Sequence, residues 1–244
     1  MPTLPRLRQA VLAARDLDAV AGQLRTTLGL GEPYADPAVE RFGLRNAVFA
    51  LGDTFLEVVS PIRPDTSAGR LIERRGGDCG YMLMFQVEDL AAARERVREA
   101  GIREVFEVSV DDMAEVHLHP SDVRATIVSL SQPRPPESWR WGGPNWQARS
   151  APARVTGATI TVAQPVGVGA LWQTILNRDF KDVGVRISAD EFERGLTEII
   201  LAPDDPDNWP EPREPVIIGG VRFVLEMFTD ETPSPFEPED IQEV

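Results

Sequence analysis

A repeated segment near the N-terminus limits the possible folds more than any other feature of the chain. The stretches LRQAVLAARDL and GYMLMFQVEDL each join an apolar strand pattern to an aspartate, Asp16 or Asp89, that can cap a helix. An amphipathic helix pattern follows each aspartate, and strand patterns follow each helix. The first copy reads β-α-β-β, with room for one more strand near residues 39–44, and the second reads β-α-β-β-β. Such an internal repeat predicts two similar structural units.

The repeat predicts an α+β fold built from repeated βαβββ modules. Two modules that each have a one-sided sheet are expected to lie side by side and to form a curved-sheet cleft. We predict the paired modules in residues 1–131, a Trp- and Pro-rich linker at 132–152, a weaker third module at 153–229 and an acidic tail at 230–244. The third module leaves an apolar sheet face without a partner. It is expected to pack on its own chain or to pair with its copy in a homodimer.

Composition limits the partners and the location. The net charge of −14 disfavours phosphate backbones and anionic lipids, so we expect neither nucleic acid nor a membrane as a partner. The single cysteine, Cys79, permits no internal disulfide, and the N-terminal residues contain no apolar run of signal-peptide length. We therefore expect a cytoplasmic protein that binds a small-molecule ligand.

The order of these motifs resembles that of the vicinal oxygen chelate superfamily, which includes glyoxalases, bleomycin-resistance proteins, methylmalonyl-CoA epimerases and extradiol dioxygenases. The similarity rests on the two strand-helix openings, the hairpin strand GDTFLEVVSP and the closing HLHPSDVRATIVSL. It covers residues 5–131 well and residues 153–228 weakly. The resemblance implies a glyoxalase-like fold, but the superfamily contains isomerases, lyases, dioxygenases, transferases and metal-free binding proteins.

The resemblance also implies where metal-dependent members hold a divalent ion. The four ligand positions correspond here to Gln9, Glu57, Met82 and Ser129. Glu57 is a usual ligand of a hard cation, Gln9 is a weaker oxygen donor, and the other two are poor ligands. We therefore predict a degenerate site with no metal or other cofactor, in which Gln9 is a hydrogen-bonding residue of the pocket.

Two histidines are candidates for the missing ligands or for acid–base catalysis. His117 and His119 are two residues apart on a predicted strand, so both point to the same face. If that face lines the cleft, they could join Gln9 and Glu57 in an off-pattern metal site or act as neutral acids and bases. Alternatively, one histidine caps the turn at Pro120 and the other packs beside a helix. A register shift of one residue would move both to the outside.

Glu57 is the candidate general base. In TFLEVVS, Phe55 and Glu57 share one face, and a carboxylate in so apolar a strand needs a partner or a pocket. Without a metal, burial beside Met82 would raise its pKa and suit it to proton abstraction next to a carbonyl. The alternative is a salt bridge to Arg45 or Arg8.

The linker contains the most unusual local composition, SWRWGGPNW, which brings three tryptophans together. Because exposure of three tryptophans to water is unfavourable, this segment is expected to be attached to the body of the protein. It either joins the third module to the first two or closes one end of the cleft with an aromatic wall.

Two functions of different classes remain. The first is metal-free proton-transfer chemistry of the isomerase or lyase type on a small organic substrate, in which Glu57 takes a proton and His117 or His119 assists. The second is non-catalytic binding or sequestration of a small molecule in the same cleft. We assign substrate binding to Gln9, Phe55, Met82, Ser129, Arg45 and Trp141.

Overall fold

The structure is a computed structural model that describes residues 3–192, 194–205, 207 and 214–226, so the predicted acidic tail at 230–244 lies outside the described residues. The first sheet contains β1 (Arg6–Ala13), β2 (Leu44–Leu51), β3 (Thr54–Pro61), β4 (Cys79–Gln86), β5 (Glu104–Val110), β6 (Met113–Leu118) and β7 (Ile127–Pro133). The second sheet contains β8 (Ala153–Val162), β9 (Val185–Ala189), β10 (Gly195–Pro203), β11 (Val216–Ile218) and β12 (Val221–Leu225). The α-helices are α1 (Leu17–Leu28), α2 (Ser67–Arg75), α3 (Leu90–Glu99), α4 (Pro120–Val123) and α5 (Pro165–Leu176). None of the helices in the described ranges has the length and apolar character needed to cross a bilayer.

The two repeated strand-helix openings form as the sequence predicts. The Asp16 carboxylate accepts hydrogen bonds from two backbone N–H groups at the start of α1, and Asp89 accepts one at the start of α3. Helix α1 ends at Gly29, whose φ of 65° is readily available to glycine. Both helices bury their apolar sides in the main core of the protein. The 3.6-residue spacing of apolar side chains therefore correctly predicted which side of each helix packs against the core.

The first sheet joins the two modules side by side. Its strand order is β2-β3-β1-β4-β7-β6-β5, in which β1 and β4 pair antiparallel at the junction of the modules. In each module the opening strand runs parallel to the closing strand, as β1 does to β3 and β4 to β7. The face opposite the helices has a separate apolar core that includes Trp139 and Trp146 of the linker. The predicted α+β fold with paired modules is confirmed.

The strand expected near residues 39–44 is replaced by a short 3-10 helix, Pro37–Phe42. Asp36 caps this helix by accepting a hydrogen bond from the backbone of Ala38, and Pro37 has the fixed φ suited to a first helical position. Gly43 ends it with a φ of 73°. The first module therefore has a helical turn at the place in its sequence where the second module has strand β5.

The second sheet repeats the centre of the first sheet. Its order, β11-β12-β10-β8-β9, matches β2-β3-β1-β4-β7 in the direction of every pair. The pairing of β1 with β4 shifts register after Leu7 and after Val11, and the pairing of β10 with β8 shifts after Leu196 and after Ile200. Residues 153–225, which include most of the predicted third module, therefore repeat this strand arrangement through β8-α5-β9 and β10-β11-β12.

The two sheets pack against each other within one chain. Leu12 and Leu83 of the first sheet share a core with Ile160 and Leu201 of the second, on the side of the first sheet that carries α1 and α3. The apolar face of the later modules is thus covered by the same chain. The homodimer stays a prediction.

Gly80 provides a test of this packing. It lies in β4, and a Cβ added there would stand 2.2 Å from the backbone oxygen of Leu196 in β10. Because the close contact is with backbone, we expect Gly80→Ala to lower the free energy of unfolding by about 1 to 3 kcal/mol in urea denaturation. Gly77→Ala is the matched control, since a Cβ there meets nothing within 4 Å. Equal stability of the two variants would contradict the described contact between the sheets.

Candidate active site

A cavity of about 380 Å³ opens between the two modules, on the face of the first sheet opposite its helices. Its deep part is lined by the buried residues Gln9, Val11, Asn46, Glu57, Met82 and Met84. Its outer part is lined by the exposed residues Ala38, Arg41, Phe42, Val105 and Pro120. Most of the wall is apolar, and the Met82 side chain borders the space without filling it. The cavity is large enough for a small organic ligand.

Glu57 lies at the deep end within a network of oriented side chains. Its Oε2 accepts a hydrogen bond from Nε2 of Gln9 at 2.7 Å, and its Oε1 accepts one from Nδ2 of Asn46 at 2.6 Å. Each amide is oriented through its own oxygen: Oε1 of Gln9 accepts from Nε1 of Trp139 at 2.7 Å, and Oδ1 of Asn46 accepts from the backbone of Asp36 at 2.8 Å. Both amides therefore present donors to the carboxylate.

The environment of Glu57 brings its pKa into the physiological range. Burial raises the pKa from an ordinary 4.5 to about 7, and the hydrogen bonds from Asn46 and Gln9 oppose this rise. The negative charges of Asp36 and Glu115 raise it further. Near pH 7 both protonation states of Glu57 are populated, which suits a group that takes up and returns a proton.

Neither arginine considered as a partner for Glu57 reaches it. Arg45 is exposed, pairs with Asp18 at 3.0 Å and lies outside the cavity lining, away from the position expected of a substrate-binding residue. Arg8 is buried, but it donates to the Gln86 side chain at 2.6 Å and to backbone carbonyls of the linker. Glu57 is held by amides instead of cations.

The four positions implied by the family do not suit a divalent metal ion. The oxygens of Gln9 and Glu57 already accept hydrogen bonds, and Met82 offers only a thioether. Ser129 lies outside the cavity lining, with its Oγ 3.5 Å from that of Ser131. Within the described ranges, no group of three or more His, Cys, Asp or Glu side chains is arranged to hold a metal. The donor set does not fit the ion.

A second buried carboxylate, Glu115 of β6, faces the same cavity and was missed from the sequence. Its Oε1 lies 2.5 Å from Nε2 of His117. Its Oε2 accepts hydrogen bonds from Oγ of Ser131 and Nε1 of Trp141, both at 2.6 Å. The available signal was the alternation in AEVHLH, which places Glu115, His117 and His119 on one face of a strand.

Both histidines line the cavity. His117 pairs with Glu115, and its ring centroid lies 4.7 Å from that of Phe106. His119 also caps α4, since its Nδ1 accepts the backbone N–H of Ser121 at 3.2 Å. The capping alternative thus holds for His119 without removing it from the cavity.

Besides Arg45, two further residues assigned to substrate binding lie outside the lining. Phe55 is on the same face of β3 as Glu57, but the linker covers it: its ring stacks on Trp139 at 6.1 Å and meets Trp146 edge-on at 5.2 Å. Ser129 is fully buried beside Ser131, and its short side chain does not reach the cavity. The other assigned residues in the lining are Gln9, Met82 and Trp141, whose roles stay proposals.

The linker connects both polar groups of the site. Trp139 and Trp141 are two residues apart, and their indole N–H groups donate to Gln9 and Glu115 respectively. Trp141 also forms part of the cavity wall. The linker therefore closes one side of the cavity as well as leading to the second sheet.

Paired βαβββ-type modules that enclose a cavity with polar groups from both modules define a protein of the vicinal oxygen chelate class. A family model described as a glyoxalase-like domain matches residues 10–176, and the chain belongs to this family. The resemblance detected in the sequence is confirmed.

Similar proteins include several epimerases. The chain is 29% identical over 133 residues to an ethylmalonyl-CoA/methylmalonyl-CoA epimerase of Cereibacter sphaeroides, covering 52% of this chain and 97% of the relative. The methylmalonyl-CoA epimerase structure from Mycobacterium tuberculosis is 21% identical with a TM-score of 0.48, over 55% of this chain and 93% of that one. A Streptomyces coelicolor methylmalonyl-CoA epimerase variant in complex with 2-nitronate-propionyl-CoA is 23% identical with a TM-score of 0.48, over 56% and 100%.

The raised pKa of Glu57 predicts a pH-dependent stability. Between about pH 4.5 and pH 7 the folded protein holds a proton that the unfolded chain has released, so the free energy of unfolding falls as pH rises through this window. Glu57→Gln removes this titration. We expect the free energy of unfolding of the variant, relative to wild type, to rise by about 2.5 kcal/mol from pH 5 to pH 8.

The measurement is urea denaturation at several pH values. A constant offset is expected as well, because the new amide would direct N–H groups at the donors of Gln9 and Asn46. Glu99→Gln, at an exposed position of α3, is the control for removal of one negative charge. Parallel pH profiles of wild type and Glu57→Gln would contradict the raised pKa.

Proposed function

We propose that the protein transfers protons at a carbon atom of a small organic substrate without a metal ion, as an isomerase of the epimerase type. The observation that carries the proposal is that two buried carboxylates, Glu57 and Glu115, line one largely apolar cavity. Their strands, β3 and β6, belong to different modules and are separated by three strands of the sheet. A substrate carbon between them would be approached from two sides.

In the proposed reaction Glu57 is the general base that removes a proton next to a carbonyl group. Its pKa of about 7 matches this task, since a base is most effective when its pKa lies near the working pH. The amide nitrogens of Gln9 and Asn46 each carry a second N–H. We assign these N–H groups to the oxygen on which negative charge develops as the carbon loses its proton.

The pair formed by Glu115 and His117 returns a proton to the opposite face of the carbon. The short contact between Oε1 of Glu115 and Nε2 of His117 orients the imidazole. Glu57 gains one proton per turnover and the pair loses one, so exchange with water resets both. His119, at the outer part of the cavity, is the alternative donor. Lyase chemistry would begin from the same carbanion and eliminate a group instead.

The relative from Cereibacter sphaeroides supports this class of reaction, because its name describes an epimerase of ethylmalonyl-CoA and methylmalonyl-CoA. We propose 2-substituted acyl thioesters as the first substrates to test. We also propose a cytoplasmic location. We propose a homodimer as well, and sedimentation at micromolar concentration would check this oligomeric state.

Non-catalytic binding of a small molecule is the second candidate function. It is favoured by one observation: Glu115 is within hydrogen-bond distance of His117, Ser131 and Trp141, so both of its oxygens are already occupied. A carboxylate held in this way can serve to maintain the shape of a binding cavity.

Solvent deuterium exchange separates the two functions. We expect wild-type protein to introduce deuterium from D2O at C2 of methylmalonyl-CoA, followed by mass spectrometry. Glu57→Gln should slow this exchange by about 100-fold or more, because it removes the general base. Glu99→Gln is the control variant and should exchange at the wild-type rate. Exchange by Glu57→Gln at the wild-type rate would contradict the assigned base, and no exchange by wild type over a panel of thioesters and 2-oxo acids would favour binding.

Chelation tests the metal-free proposal. We expect exhaustive dialysis against EDTA to leave the exchange rate unchanged, because the donor set around Glu57 does not suit a divalent ion. Elemental analysis of the purified protein provides the parallel measurement. A stoichiometric divalent metal, or activity that EDTA removes and added metal restores, would contradict the proposal.

A further inference from the structure

An arginine contacts two aromatic rings in the outer part of the cavity. The Cζ of Arg41 is 4.7 Å from the ring centroid of Phe42 and 5.0 Å from that of Phe106. The two rings contact each other edge-on, with centroids 5.2 Å apart. All three residues line the cavity.

This contact spans the opening between the two modules. Phe42 ends the 3-10 helix of the first module, and Phe106 belongs to β5 of the second. Phe42 and Val105, both in the cavity lining, are 37% and 51% exposed, whereas Gln9 and Glu57 at the deep end are buried. Arg41 is therefore held at the entrance, at the opposite end of the cavity from the carboxylate assigned as base.

The charges of the cavity wall give Arg41 a distinct role. Among the described residues of the lining it is the only lysine or arginine, while Asp36, Glu57 and Glu115 are acidic. Its guanidinium forms no ion pair with any residue in the described ranges, and its contacts there are with the two rings. An anionic ligand would be repelled by the acidic wall unless its charge met this cation.

The geometry of a guanidinium leaves its donors available in this position. A guanidinium in contact with aromatic rings has five N–H groups that point outward in its plane, and no described acceptor is paired with those of Arg41. That edge can donate two parallel hydrogen bonds to a carboxylate or a phosphate. Contact with two rings also limits the rotamers of Arg41, so less conformational entropy is lost when an anion binds.

We propose that Arg41 is the specificity-determining residue of the cavity and binds an anionic group, carboxylate or phosphate, at one end of an otherwise apolar ligand. The apolar body then lies along the wall formed by Val39, Leu44, Met84 and Ile127, and the other end reaches the polar groups around Glu57. The location of the reacting carbon rests on the proposed function. Recognition of the anion does not, because it requires binding alone.

The experiment measures binding of three probes of equal chain length by calorimetry: hexanoate, hexyl phosphate and hexanamide. We expect wild-type protein to bind the better anion about tenfold or more tightly than hexanamide, as for a charge-assisted pair in a partly buried site. Tighter binding of hexyl phosphate would identify phosphate as the natural group, and tighter binding of hexanoate would identify carboxylate.

Matched variants assign the preference to one side chain. Arg41→Met keeps much of the apolar contact with the rings without the charge, and it should bind hexanoate and hexanamide equally while its hexanamide affinity stays within about twofold of wild type. Arg41→Lys should retain part of the preference. Arg45→Ala is the control, because Arg45 is exposed, lies outside the cavity and pairs with Asp18; it should keep the full preference.

Three results would overturn the proposal. They are equal binding of the anions and the amide by wild type, an equal loss of preference in Arg45→Ala, and no binding of either anion up to about 10 mM. Thermal unfolding of each variant shows that it is folded before binding is measured. Because no turnover is needed, failure of the deuterium exchange would leave this inference standing, and loss of the anion preference alone would leave the exchange chemistry standing.

Discussion

The hydrogen bonds that solvate the buried Glu57 carboxylate organise the rest of the site. A carboxylate away from water is costly unless donors replace its hydration, and here Gln9 and Asn46 provide them. Those amides are effective because Trp139 and the backbone of Asp36 orient them. Trp139 belongs to the linker and also stacks on Phe55. The hydrogen bonding of Glu57 therefore depends on a residue that lies 130 positions from Gln9 in sequence. The residual cost of burial is what raises the pKa of Glu57 to about 7.

The two sheets of the chain show what the cavity requires beyond the common framework. Both share strand order, strand directions and register shifts, and Glu198 of β10 occupies the position of Gln9. In the described part of the second sheet, however, no strands correspond to β5 and β6, and Glu198 bonds to Thr159 at 2.9 Å and to Arg222 on a solvated face. The first sheet therefore differs from the second in having strands β5 and β6 and the Trp linker, and these elements form part of the cavity wall.

Several features of the fold and the site could be read from sequence because they depend on local patterns. The aspartate caps, the helix faces and the repeat identified the paired modules, and Glu57 stood out as a carboxylate in an apolar strand. Glu115 was missed because its role in the site depends on its hydrogen-bond partners Ser131 and Trp141, which lie 16 and 26 positions away in sequence. Phe55 was placed on the correct face, yet the linker covers it. The strand expected near residues 39–44 was wrong because the cap at Asp36, Pro37 and Gly43 together favour a short helix.

The sequence by itself determined the family, the modular repeat and which residue types occupy the family's ligand positions, because strand and helix periodicity and residue chemistry are present in consecutive residues. Only the tertiary structure decided that the cavity is open, that two carboxylates from different modules line it, and that Arg41 contacts Phe42 and Phe106 at its entrance. These properties depend on distances between residues far apart in the chain. Burial, hydrogen-bond partners and the pKa of Glu57 are set by those distances, and no local pattern encodes them.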